Sequence, residues 1–318
     1  MRTVTLPGLG IPLSNYCLGT MYFGSKVDEK TSLRLMDVYA AHGGNFLDSA
    51  NKYASWVPGF QGGESEHVVG RWLKDHPRDR YVITSKVGFP YGDIPRSLAA
   101  KYIISECEKS LTRLGTDYID IYFAHTQDLD TPIEETLKAF ETLIKSGKIR
   151  AIGASNFDAW PLAEVGCVAR QHNLPAYSVL QQRYSCLQPV LGADFGTQKV
   201  LTPEQIDYCA RRGLLVMAYS PLLGGLYEHV DAQLPIQYDS ILNRNRLSLL
   251  RESASEYGCT PSQLVLSWMA LSSPMIVPLV TASREEHLLD NLKQVPEEQV
   301  HEFAERLNNL DRFTIKYS

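Results

Sequence analysis

The chain lacks an excess of positive charge: 31 Lys and Arg stand against 36 Asp and Glu, a net charge of −5. A dedicated nucleic-acid binder would show a basic stripe, so that class is set aside, although a local site for an anionic ligand is not. Long apolar runs are missing too. The longest, such as Ile119–Ala124 and Gly213–Tyr219, fall far short of the ~20 residues that cross a bilayer. The opening stretch MRTVTLPGLG has no apolar leader segment. The six cysteines are scattered with no Cys-x-x-Cys pair, which argues for reduced, mostly buried thiols and a cytoplasmic protein without membrane contact. No His-x-His occurs, and no metal site is expected. No Gly-x-Gly-x-x-Gly turn follows a strand; the glycine-rich Gly59–Gly63 reads as a loop. No Gly/Ser/Pro-rich linker divides the chain, so residues 1–318 read as one domain.

What is present is an alternation of short apolar runs and longer helical patterns. The runs are Tyr16–Leu18, Asn45–Asp48, Tyr81–Lys86, Ile119–Ala124, Ile149–Ala154, Ala176–Gln181, Leu214–Tyr219 and Met275–Val280. They are apolar almost throughout rather than at alternate positions, as strands buried on both faces must be. Between them, Ile103, Cys107, Leu111 and Leu114 repeat at helical spacing, as do Ile133, Leu137, Phe140 and Ile144. Thr131-Pro132-Ile133-Glu134, Thr202-Pro203-Glu204-Gln205 and Thr260-Pro261-Ser262-Gln263 share one helix-start pattern: Thr caps, Pro takes the first turn and Glu or Gln reaches back. Gly115, Gly147 and Gly213 are placed to end helices. Eight strands with helices between them predict an α/β fold, a (β/α)8 TIM barrel with a short N-terminal hairpin and extra C-terminal helices. An open doubly wound sheet is the alternative. Gln182–Lys199 and Leu222–Ser240 read as long irregular connections.

In such a barrel, chemistry collects where the strands end. Asp48 ends the second run and Tyr53 follows closely. Lys86 ends the third, His125 follows the fourth, Ser155 and Asn156 the fifth; Gln181 ends the sixth, and Tyr219 and Ser220 close the seventh. Taken singly, each has a bland structural explanation. Unrelated structural residues have no reason to choose the same end of every strand. The set can reduce a carbonyl, provided that a nicotinamide supplies hydride, which no side chain can. Tyr53 is placed to give the proton. A neighbouring Lys86 ammonium is expected to lower its pKa, Asp48 to hold Lys86, and His125 to orient the carbonyl oxygen.

The segments Asn45-Phe46-Leu47-Asp48-Ser49-Ala50, Tyr53, Glu64-Ser65-Glu66, Thr84-Ser85-Lys86, Tyr122-Phe123-Ala124-His125 and TPIEETLKAFETLIKSGKIRAIGASNF (131–157) resemble the aldo-keto reductase superfamily over nearly the whole chain. The resemblance implies a catalytic set of Asp48, Tyr53, Lys86 and His125, acting on a small-molecule carbonyl or alcohol. It implies an NADPH/NADP+ site, with NADH possible. Ser155, Asn156 and Gln181 would hold the carboxamide, Tyr219 would stack on the nicotinamide, and Ser220 and Leu222 would approach the pyrophosphate. Ser283, Arg284, Asp290 and Asn291 would meet the adenosine end, with Arg284 suited to a 2′-phosphate.

The sequence departs from the family at Ala54, where Gly is usual, and in the long segment Ser55–Gly63 with Trp56 and Phe60. It also departs at Thr281 and His287, which weakens the choice of NADPH over NADH. Little chain follows the final helix, so a fairly open pocket is expected, walled by Met21, Tyr22, Trp56 and Phe89. The expected product is a monomeric enzyme. The resemblance also admits a cofactor-binding sensor or regulatory subunit with slow residual activity.

Overall fold

The computed structural model describes residues 1–6 and 9–316. Two short strands, β1 (Thr3–Val4) and β2 (Leu13–Ser14), pair antiparallel as a hairpin. Eight more follow: β3 (Cys17–Gly19), β4 (Phe46–Asp48), β5 (Val82–Val87), β6 (Ile119–Ala124), β7 (Ile149–Ser155), β8 (Val179–Arg183), β9 (Leu215–Tyr219) and β10 (Ile276–Val280). They close into a barrel in the order β10-β3-β4-β5-β6-β7-β8-β9, so the open-sheet alternative is excluded. Around it run α1 (Glu29–Ala41), α2 (Glu64–Leu73), α3 (Ala100–Leu114), α4 (Ile133–Lys145), α5 (Ala159–His172), α6 (Pro203–Arg212), α7 (Ile241–Tyr257), α8 (Pro261–Ala270), α9 (Glu285–Asn291) and α10 (Glu297–Lys316).

The eight apolar runs become the eight barrel strands, with bounds within one residue except at β8. β8 begins at Val179 rather than Ala176, because Tyr177 packs edge-on against Phe140 and Phe157, with ring centres 6.4 and 5.6 Å away. Gln182 and Arg183 extend this strand before the long connection starts. The connection 222–240 contains single 3-10 turns at Leu226–Glu228 and Ile236–Tyr238.

Capping boxes form at Thr202 with Gln205 and at Thr260 with Gln263. The third expected start differs. Pro132 caps α4, and the Thr131 hydroxyl donates to Asp128 Oδ2 at 2.6 Å. A carboxylate three residues upstream outcompetes the helix end for that hydroxyl. Gly115 and Gly213 take φ of 61° and 70° at helix ends, where a Cβ would be strained; Gly147 stands one residue past the cap of α4.

Burial divides into two cores. The barrel interior packs Cys17, Phe46, Val82, Ile121, Phe123, Val179, Met217 and Val277 together with Leu6, Leu9 and Leu13 from the hairpin region. Those three leucines close the end where the strands begin, which leaves the opposite mouth open. Each contributes about 1.5–3 kcal/mol of burial. The second core lies between strands and helices and includes Phe140, Tyr177, Leu250 and Phe303. Buried Arg246 secures α10 through Asp311. The expectation about the segment after the final helix falls on residues 317–318, outside the described residues. All six cysteines are free thiols, four of them buried. Among the described residues, no helix is long and apolar enough to cross a membrane.

Candidate active site

Because all eight strands run parallel, their last residues gather at one mouth. The register sets Gly19 beside Asp48, Asp48 beside Thr84, Lys86 beside Phe123 and Ser155 beside Gln181. Asp48 is fully buried, and four groups donate to its carboxylate. Thr84 Oγ1 at 2.8 Å and Gln181 Nε2 at 2.9 Å reach Oδ1. Lys86 Nζ at 2.7 Å and the Tyr53 hydroxyl at 2.9 Å reach Oδ2. Lys86, equally buried, spends its other two protons on Ser49 O and on the Tyr53 hydroxyl oxygen, each at 2.8 Å. Thus Tyr53 donates to Asp48 and accepts from Lys86.

The loop after β4 delivers Tyr53. Asn51 N donates to Lys86 O at 3.4 Å, and Asn51 Nδ2 reaches the buried Glu106 at 3.0 Å. The Tyr91 hydroxyl donates to the same carboxylate, so Glu106 ties two mouth loops together. Ala54, the departure noted in the sequence, sits at φ 72°. That is the left-handed region where Gly is free of strain, and a Cβ there costs about 1–2 kcal/mol.

The electrostatics differ from the sequence expectation in one respect. Burial, then the Asp48 carboxylate, pushes the Tyr53 phenol well above its ordinary value, despite the ammonium at its side. Burial likewise lowers Lys86, with Asp48 opposing. The resting phenol is therefore firmly protonated. His125 is pushed well below the ordinary imidazole range by burial and by the cations Lys86 and Lys52, so it is neutral. Its Nδ1 is sealed from solvent without a partner among the described residues, and the ring lines the cavity. A proton on Nδ1 would meet no acceptor, so the favoured tautomer carries it on Nε2. Ring centres place His125 5.8 Å from Tyr53 and 4.7 Å from Phe89.

A cavity of ≈ 1120 Å³ opens over this cluster. Asp48, Tyr53 and His125 line it; Lys86 stands behind them. Met21, Tyr22, Trp56 and Phe89 line it as well, whereas Phe60 does not. From there the cavity runs past Ser155, Asn156, Gln181 and Tyr219, along Ser220 and Leu222, to Ser283, Asp290 and Asn291. Gln181 donates through its Nε2 to Asp48, and its side-chain Oε1 has no partner among the described residues. Asn156, at φ 57°, is engaged on all sides. Its Nδ2 donates to His125 O (2.9 Å) and Ser155 Oγ (3.2 Å), while Oδ1 accepts from Lys199 N (3.2 Å) and the Tyr219 hydroxyl (2.7 Å). Arg284 lies outside the lining, mostly exposed, 3.7 Å from Glu286. A long cleft with amide and hydroxyl groups near its acid group, and hydroxyl, amide and imidazole groups at its far end with Arg284 just outside, fits a dinucleotide.

Sequence reasoning missed several lining groups, including Lys52, Thr197, Gln198, Glu228, Thr260 and Ser262. Only Lys52 carried a signal, its position next to Tyr53. The others come from connections and helix starts that only the tertiary fold brings to the mouth.

Comparison with known proteins adds independent findings. The family model described as "Aldo/keto reductase family" matches residues 15–312. "Uncharacterized oxidoreductase YrpG" of Bacillus subtilis (strain 168) is 31% identical over 98% of this chain and 96% of its own. "Norsolorinic acid reductase stcV" of Emericella nidulans is 27% identical, over 96% and 81%. "Probable voltage-gated potassium channel subunit beta" of Arabidopsis thaliana is 29% identical, over 93% and 91%. A crystal structure of the thermostable aldo-keto reductase Tm1743 with the inhibitor epalrestat is similar at a TM-score of 0.73 and 27% identity, over 98% of this chain and 100% of that one.

Proposed function

The chain belongs to the aldo/keto reductase family, and from that premise we propose that it reduces an aldehyde or ketone to an alcohol with hydride from NADPH and the proton of Tyr53. Membership makes it an NAD(P)H-dependent oxidoreductase of carbonyls in general. One observation carries the assignment of roles: the Tyr53 hydroxyl is held by Lys86 and Asp48 on the floor of a cavity that His125 also lines.

A bound reduced nicotinamide supplies the hydride to the carbonyl carbon. The rest falls to side chains. His125 Nε2–H and the Tyr53 hydroxyl meet the carbonyl oxygen. To do so, the hydroxyl turns its proton from Asp48 to the substrate. As the π pair of the carbonyl moves to oxygen, that oxygen takes the phenolic proton. Lys86 still donates to the phenol oxygen and stabilises the phenolate that forms; Asp48 fixes Lys86. In reverse, the phenolate accepts the proton of an alcohol, so the reaction runs both ways. The Ser155 hydroxyl and Gln181 Oε1 would be available to the carboxamide, and Tyr219, braced by Asn156, would stack on the nicotinamide. Ser220 and Leu222 would hold the pyrophosphate, and Ser283, Asp290 and Asn291 the adenosine. Arg284 favours NADPH: its nearest carboxylate is loosely placed, leaving the guanidinium able to pair with a 2′-phosphate.

The test is consumption of NADPH, read by absorbance near 340 nm, with a panel of aldehydes and ketones. Tyr53→Phe is expected to lose roughly 10²–10⁴ in turnover with cofactor affinity nearly unchanged. A Phe variant as fast as the parent would remove Tyr53 from its role. The similarity to a channel subunit motivates one further reading, a slow sensor; single-turnover hydride transfer much faster than steady-state turnover would favour it.

A further inference from the structure

The chain is acidic overall, yet one wall of the cavity near Tyr53 carries unneutralised positive charge. Lys52 lines the cavity beside Tyr53 and is half-buried. Its Nζ lies 4.6 Å from the ring centre of Phe89 and 5.7 Å from that of Trp56. The guanidinium of Arg96 lies 5.6 Å from the other-contacted Phe89 ring. Among the described residues, neither cation has an ion pair or hydrogen bond to a carboxylate. The carboxylates that line the cavity are elsewhere. Asp48 is saturated by its four donors, and Glu228, Glu286 and Asp290 stand beyond β9 and β10.

A partly desolvated ammonium without a counter-ion is unfavourable. Two ring faces attract the ammonium without cancelling its charge. Burial and the Arg96 cation both lower the Lys52 pKa, in keeping with an ammonium that lacks an anion. The location is chemically specific. Phe89 touches both Lys52 and His125, whose ring centre is 4.7 Å from its own. The ammonium is thus within one short substrate length of the group that meets the carbonyl oxygen.

We propose that the carbonyl substrate bears an anionic group, a carboxylate or phosphate, which pairs with Lys52 while its aldehyde or ketone oxygen meets Tyr53 and His125. Arg96, exposed beside Phe89 and outside the lining, adds attraction as the anion approaches. The flat faces of Trp56 and Phe89 suit an aromatic or short planar body between the two ends. This assignment rests on the carbonyl-reductase reading, which supplies the orientation.

Matched probes separate charge from shape: 4-formylbenzoate, its methyl ester and 4-formylphenyl phosphate, each reduced with NADPH. Lys52→Met is expected to lower the acid-to-ester ratio of kcat/KM by about tenfold, mainly through KM, the worth of one charge-assisted hydrogen bond. Lys52→Arg keeps the ratio, and added salt shrinks it in the parent. A preference for the phosphate over the carboxylate, or the converse, identifies the anion. A ratio unchanged in Lys52→Met overturns the proposal, as it would if the substitution merely disturbed Tyr53 and slowed both substrates alike. Calorimetry of benzoate and benzamide binding to the NADP+-loaded protein needs no turnover. Benzoate is expected to bind more tightly, with the difference lost in Lys52→Met. Loss of carbonyl reduction with this binding intact sinks the reductase reading alone; equal binding of the two probes sinks the anion site.

Discussion

Asp48 and Lys86 are buried together, and neither is tolerable without the other. Removing one partner of such a pair costs about 3–5 kcal/mol, because a lone charge is left in a poor solvent. Tyr53 completes the unit by donating a hydrogen bond to the carboxylate and accepting one from the ammonium. Burial and Asp48 raise the phenol, and a raised acid keeps its proton to higher pH. Carbonyl reduction needs that protonated form. Its kcat/KM is therefore expected to stay level from neutral pH to about 10, the ordinary phenol range, and to fall only above it. Alcohol oxidation needs the phenolate and should rise over the same alkaline limb. His125 is lowered, so it has shed its extra proton well below the usual imidazole range of about 6.5. No inflection near neutrality is expected in either direction. A reduction profile that halves between about pH 7 and 8 would contradict this account of the cluster.

At the scale of elements, helix α2 shows how tightly the outer layer supports the mouth. Gly70 packs against the end of α3, where an added Cβ would stand 2.5 Å from Arg113 O and 2.7 Å from Leu114 O. Backbone atoms cannot swing aside as a side chain can. Gly70→Ala is expected to cost about 1–3 kcal/mol, read as a lower urea midpoint with an unchanged slope. A variant as stable as the parent would show that the two helices separate freely. The same pair carries Glu66, which accepts from Ser85 Oγ at 2.5 Å and Arg113 Nε at 2.6 Å, next to Lys86 in β5.

Elements of this kind were largely legible in the sequence. Buried parallel strands need apolar residues on both faces, so their runs stand out, and the capping boxes at Thr202 and Thr260 are local chemistry. Asp48, Lys86 and Gln181 could be read because strand ends converge by geometry alone. Lys52 had only its place beside Tyr53 to mark it, and Gln198 had nothing. Gln198 reaches the cavity because Arg183 Nη1 donates to it at 2.7 Å and Arg183 Nε donates to the Tyr238 hydroxyl at 3.1 Å. Contacts between residues so far apart in the chain leave no periodicity to read. The Thr131 cap was misread for a related reason: Asp128 competes for its hydroxyl, and local pattern does not rank the two partners.

At the scale of the whole molecule, one end of the barrel is filled by Leu6, Leu9 and Leu13, so a cofactor has a single way in. The cleft passes from Gln181 and Tyr219, on adjacent strands, to Asn291 at the end of α9. A ligand spanning it links segments distant in sequence and binds only the folded chain. At a concentration of about 100 times Kd, such a ligand adds about 2.7 kcal/mol of stability. If Arg284 recognises a 2′-phosphate, NADPH should raise the thermal midpoint more than NADH at equal concentration. Arg284→Ala should then bring the NADPH shift down toward the NADH shift and leave the latter nearly in place, because the guanidinium is exposed and holds little of the fold. Equal shifts for the two cofactors in the parent protein would remove Arg284 from cofactor choice. Selection would then rest with Thr281, Ser283 and His287, which line the same end of the cleft and supply hydroxyl and imidazole contacts rather than a permanent charge.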